Sequence, residues 1–139
     1  MSIELVPLCT MVAELADPMI LANTPSGTRV IVEVKSFTVD GERLKGTNKG
    51  TAGADWLTIG PEGTATLDVR ATMETDDGVL VYVYYQGRRD FSESMDAPLY
   101  TAPKFETGDE RYGWLNKIQA VGKGVLDGST LTYEIYEVR

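Results

Sequence analysis

Residues 64–73 alternate with a period of two. Ala65, Leu67, Val69, Ala71 and Met73 fall on one face, and Thr66, Asp68, Arg70 and Thr72 on the other. A pleated strand separates two such sets cleanly, whereas a helix would spread both around its axis. Val79–Gln86 is apolar on both faces and rich in Val and Tyr, which predicts a strand covered on both sides. Thr28–Val39, Tyr100–Thr107 and Leu131–Val138 also read as strands. Ser2–Leu15 reads as a long first strand in which Pro7 marks an edge position or a bulge.

Three Asp-Gly pairs punctuate these runs: Asp40-Gly41, Asp77-Gly78 and Asp127-Gly128. A type I′ turn needs positive φ at both central residues, which Asp tolerates and Gly adopts freely. The pairs predict hairpins joining Val30–Val39 to Arg43–Thr51, Leu67–Thr75 to Val79–Gln86, and Trp114–Val125 to Thr130–Val138. One short helical turn is expected within Gly108–Gly113, with Asp109 near its start, and the longest loop within residues 87–98. Arg88 and Arg89 would lie in that loop, solvated or clamping an anionic group. Many short antiparallel strands must remove their free edges, by closing or by stacking as two sheets. The expected fold is all-β: a single antiparallel β-barrel of eight or nine strands over residues 1–139, calycin-like in general shape.

Composition narrows the chemistry. The 139 residues include no histidine, which removes imidazole-based triads and His-ligated metal centres. The net charge of −8 argues against nucleic acid and anionic membrane surfaces as partners. Cys9, the single cysteine, has no internal partner and is expected as a small buried hydrophobe. The segment Met1–Leu15 carries Glu4, Pro7 and Glu14 without a basic start, unlike a signal peptide. A cytoplasmic setting is the expectation, with no cofactor or metal, since neither a GxGxxG run nor a P-loop occurs.

Carboxylates must then carry any proton transfer. A lumen receiving Asp55, Arg70 and Glu106 would hold acids tuned by burial and a cation to stabilise developing negative charge. Trp56, Tyr84, Tyr112 and Trp114 would supply flat walls for an aromatic ligand. Each also has a structural reading: Asp68 and Arg70 as a same-face ion pair, and Trp56 and Trp114 as core anchors.

The order and spacing of several segments are fairly specific. They are Thr24-Pro25-Ser26-Gly27-Thr28-Arg29, the Gly46–Trp56 stretch ending in GADW, LDVR at 67–70, TDDG at 75–78, FET at 105–107 and Tyr112-Gly113-Trp114-Leu115-Asn116. Together they resemble domain-of-unknown-function family 3237 of bacteria and fungi over nearly the whole chain. The resemblance implies a small antiparallel β-barrel. It places Asp55, Trp56, Arg70, Glu106, Trp114 and Asn116 in recurrent motifs, and points to relatives that cyclise or isomerise small oxygenated, often aromatic molecules.

Three functions follow as expectations. The first is a cofactor-free isomerase, cyclase or lyase using carboxylate acid-base chemistry. The second is a non-catalytic barrel binding a small-molecule ligand. The third is an interaction protein, with the two-sided apolar strand 79–86 buried in a homo-oligomer.

Overall fold

The computed structural model describes all residues, Met1–Arg139. Eleven strands form one antiparallel sheet: β1 Leu5–Leu15, β2 Met19–Thr24, β3 Gly27–Asp40, β4 Lys45–Asn48, β5 Ala54–Ile59, β6 Thr64–Thr75, β7 Leu80–Asp90, β8 Leu99–Thr101, β9 Lys104–Glu106, β10 Ala120–Asp127 and β11 Thr130–Val138. Eight of them close on themselves in the order β1, β3, β5, β6, β7, β8, β10, β11 and back to β1. The other three cover local gaps. β2 pairs with β3, β4 bridges β3 and β6 below β5, and β9 pairs with β7 beside β8. The expected all-β barrel is therefore the fold.

Alternation sets the inner face. Ala65, Leu67, Val69 and Met73 of β6 are buried, as are Val81, Val83 and Tyr85 of β7 and Leu131, Tyr133 and Ile135 of β11. In β1 the register slips between Pro7 and Cys9, so Leu8 and Cys9 are both buried and the alternation shifts. This bulge leaves Ile3 and Leu5 exposed instead of sharing a core face with Cys9 and Met11.

The turns differ from the type I′ expectation. Gly78 and Gly128 have positive φ (88° and 62°), while Asn23 is the one non-glycine residue to do so, so Asp77 and Asp127 stay in ordinary backbone regions. Gly128 therefore leads a two-residue loop in the manner of a type II′ turn, since Asp127 pairs directly with Thr130. The Tyr100–Thr107 run divides into β8 and β9 around Ala102-Pro103, because Pro103 has no N–H to donate to a ladder. Trp114–Lys117 is not strand: it belongs to a kinked 3₁₀ helix, Glu110–Lys117, whose N-cap Asp109 accepts from the Arg111 N–H. β7 continues through Gly87 to Asp90, which shortens the long loop to residues 91–98 and puts Arg88 and Arg89 on a strand.

The barrel has two unlike ends. At one, Leu44, Met73, Val81 and Leu115 are almost completely buried. Leu115 comes from the 3₁₀ helix, which is tied to the β6–β7 turn by Tyr112 Oη donating to Asp77 Oδ1 at 2.9 Å. This end forms a solid floor. The other end, where β1, β7 and β10 finish and β6 and β11 begin, is hollow. No helix is long and apolar enough to cross a membrane.

Candidate functional site in the barrel lumen

The hollow end encloses a cavity of about 100 Å³ with sixteen lining residues. Fourteen are hydrophobic, including Leu57, Leu67, Val69, Phe91, Tyr85 and Tyr133; the other two are Asp55 and Arg89. One carboxylate, one guanidinium and two phenols therefore face an otherwise apolar space.

A local break in a sheet ladder shapes the carboxylate's surroundings. β5 and β6 pair at Ala54↔Arg70 and Asp55↔Val69, and pairing resumes only at Thr58↔Thr66. Within the gap, Asp55 Oδ1 accepts from the Asp68 N–H at 3.0 Å. Arg29 Nη1 donates to the Trp56 carbonyl at 2.8 Å on the same short stretch. Side chains thus satisfy backbone groups inside the gap, as groups shielded from water require. Burial pushes the Asp55 carboxyl up to about 6 from an ordinary 3.8; the Asp68 N–H opposes the rise and the Asp68 carboxylate adds to it. At pH 7 this leaves roughly a tenth of the carboxyl protonated.

Tyr85 and Tyr133, which line the same cavity, meet edge to face, with ring centroids 5.6 Å apart and planes at 76°. Burial drives both phenols well above their usual range, with the Asp55 charge adding to each shift. They therefore act as neutral hydroxyls. Arg89 reaches the lumen nearer the mouth. Its Nε donates to the Ala97 carbonyl at 2.8 Å and its Nη2 to the Met95 carbonyl at 3.0 Å, which holds the 91–98 loop at the rim. The guanidinium lies 4.5 Å from the Phe91 ring centroid.

Of the eight residues singled out from the sequence, Asp55 alone lines this cavity. Four others share the outer face of β5, β6, β7 and β9. Arg70 is exposed, with its guanidinium 4.9 Å from the Trp56 ring centroid. Tyr84 stands opposite Arg70 in register, and exposed Glu106 stands opposite Tyr82. The remaining three lie at the floor. Tyr112 bonds Asp77, Trp114 packs under Arg43 at 4.8 Å, and Asn116 exchanges two 2.9 Å hydrogen bonds with the Thr107 backbone. Asp55, Arg70 and Glu106 are therefore not brought together. Sequence reasoning missed Tyr85 and Tyr133, and placed Arg89 in a loop, solvated or clamping an anionic group, where the structure has it on a strand and lining the lumen. Tyr85 shares parity with Val81 and Val83, and Tyr133 with Leu131 and Ile135, and that shared parity was the available signal.

Comparison with known proteins places the chain among similar barrels. A UPF0311 protein from Rhodopseudomonas palustris is 28% identical over 142 residues, covering 93% of this chain and 92% of the relative. The hydroalkoxylation enzyme phnH of Penicillium herquei is 35% identical over 83 residues, covering 60% of this chain and 45% of that enzyme. A crystal structure of a β-barrel-like protein from Acinetobacter baumannii superposes with a TM-score of 0.89 at 29% identity, covering 99% of this chain and 97% of the other. An enzyme structure from Penicillium herquei has the same fold, with a TM-score of 0.73 at 21% identity over 99% of this chain and 94% of that one. Residues 3–138 match the family described as "Protein of unknown function (DUF3237)", and the chain belongs to that family.

Proposed function

We propose that the lumen is an acid-base site in which Asp55 moves a proton on a small oxygenated or aromatic molecule, in a reaction of the isomerase, cyclase or lyase type. The observation that carries this reading is the Asp55 carboxyl, raised to about 6 in a cavity it shares with only one other charged side chain. A carboxyl near that value exists in both protonation states close to neutrality, as a group that takes and returns a proton must. Tyr85 and Tyr133 stay protonated and can donate to an oxygen that gains charge. The hydroalkoxylation enzyme among the relatives gives the reading a chemical precedent. Hydroalkoxylation breaks an O–H bond, forms a C–O bond and delivers the proton to carbon, so it balances without any other reactant.

Proton transfer to carbon has a direct readout. Small alkenyl phenols incubated with the protein in D2O should gain carbon-bound deuterium above the rate in buffer, and Asp55→Asn should reduce that gain to background. Incorporation that persists in a folded Asp55→Asn variant sinks the reading. A second reading, a non-catalytic carrier, draws on the largely apolar wall. It predicts probe binding with no deuterium gained by any probe.

A further inference from the structure

We infer that Arg89 forms an anion subsite at the lumen mouth. It selects single-ring aromatic ligands bearing a carboxylate, or another anionic oxygen, at the end remote from Asp55. This deepens the proposed function and rests on the lumen being the binding site.

The first argument is the state of the guanidinium. It carries five N–H donors, and in this structure it makes two hydrogen bonds, both to loop carbonyls, while Nη1 makes none. Arg43, Arg111 and Arg139 each pair with a carboxylate; Arg89 forms no salt bridge. It is also the one cation among the sixteen lining residues. A positive charge facing an apolar cavity attracts an acceptor oxygen of opposite charge, and a planar fork suits a carboxylate. The two carbonyls and the Phe91 ring fix the guanidinium before any ligand arrives, which lowers the entropy cost of binding.

The second argument is spacing. Tyr85 stands opposite Val69, which is also the partner of Asp55, whereas Arg89 stands opposite Ala65. Arg89 is thus four residues nearer the mouth, roughly 13 Å along the strand before its side chain reaches inward. The Arg89 charge is felt at the Tyr133 hydroxyl, so Arg89, Tyr133, Tyr85 and Asp55 form one polar series along the cavity. A cavity of about 100 Å³ is smaller than the ~150 Å³ apolar cavity that takes benzene, so it admits one ring at most and excludes larger ring systems. For a ring with oxygen substituents at both ends to meet both polar groups, the long Arg89 side chain must span the rest of that separation.

Calorimetric titration with 4-hydroxybenzoate and its neutral methyl ester tests this. The intact protein should bind the acid roughly ten- to a hundredfold more tightly than the ester. Arg89→Met should erase that preference while holding the ester within about threefold of the original affinity. Arg89→Lys, which keeps the charge but loses the fork, should retain part of it. Arg89→Gln keeps a donor for the loop carbonyls without the charge and replaces the Met variant if that one fails to fold. Equal affinity for the two probes, or a preference that survives Arg89→Met, overturns the Arg89 subsite and leaves the lumen reading standing. Binding of neither probe overturns the subsite too, and the deuterium experiment then judges Asp55 by itself.

Discussion

At the scale of residues, the lumen carboxyl ties acid-base chemistry to stability. Asp55 is raised from 3.8 to about 6, so the folded chain holds its proton more tightly than the unfolded chain does. The group's contribution is therefore whole below about 3.8 and is lost as pH rises through about 6. At 1.36 kcal/mol per unit, the ionised carboxylate costs the fold on the order of 3 kcal/mol above that range. Asn has no charge to desolvate, and its Oδ1 can still accept from the Asp68 N–H. Asp55→Asn should therefore raise the thermal midpoint by several degrees at pH 8 and change little near pH 3.5. Equal midpoints for the two proteins at pH 8 would remove the argument for a desolvated carboxylate. A variant that gains stability as it loses proton transfer would mark a position kept for function.

At the scale of elements, close approach between neighbouring strands holds the lumen side chains in place. Gly124 pairs with Tyr133 across β10 and β11, and a Cβ at Gly124 would lie 2.5 Å from the Tyr133 ring. That ring is almost fully buried, so Gly124→Ala must push it toward the cavity it lines. A cost of about 1–3 kcal/mol is expected, together with weaker lumen binding of methyl 4-hydroxybenzoate. Unfolding curves and titrations that match the original protein would refute it. Elements also set what could be read in advance. The alternation over 64–73 and the hairpins at Asp77-Gly78 and Asp127-Gly128 were legible because apolar parity and turn glycines are local properties. The choice between Tyr84 and Tyr85 was only half legible: parity groups Tyr85 with Val81 and Val83, but both faces of the strand are apolar, so parity did not say which one turns inward. The inward placement of Arg89 was hidden for a related reason. Gly87-Arg88-Arg89-Asp90 looks like a loop by composition, yet pairing with Thr64–Leu67 and Leu99–Thr101 keeps it extended. Asp55 was found through its place beside Trp56, but its role as a ladder substitute needed the strand pairing itself.

At the scale of the whole molecule, closure lets one end bear the stability and the other the cavity. Leu44, Met73, Val81 and Leu115, four of the largest fully buried side chains, gather at the floor, the last of them from the 3₁₀ helix. Leu115→Ala should cost about 2–5 kcal/mol and leave probe affinity at the mouth nearly unchanged. Loss of binding in a folded Leu115→Ala variant would show that the two ends are coupled. Carboxylate pairing also concentrates at the floor. Burial opposes ionisation of Glu137, but the Arg139 and Arg43 guanidiniums outweigh it and hold its carboxyl below the usual range. Its contribution is present at neutral pH and is lost as pH falls through that lowered value, the opposite direction to Asp55.

Backbone hydrogen bonds join Glu4 and Arg139 in both directions, at 2.7 and 2.9 Å, and β1 runs from that point towards the mouth. The two ends of the chain thus leave the barrel side by side, at the face opposite the cavity. A linker attached at either end would hold the protein to a bead or a sensor chip with its opening turned to the liquid. Capture through Met1 and capture through Arg139 should then report the same ligand affinity.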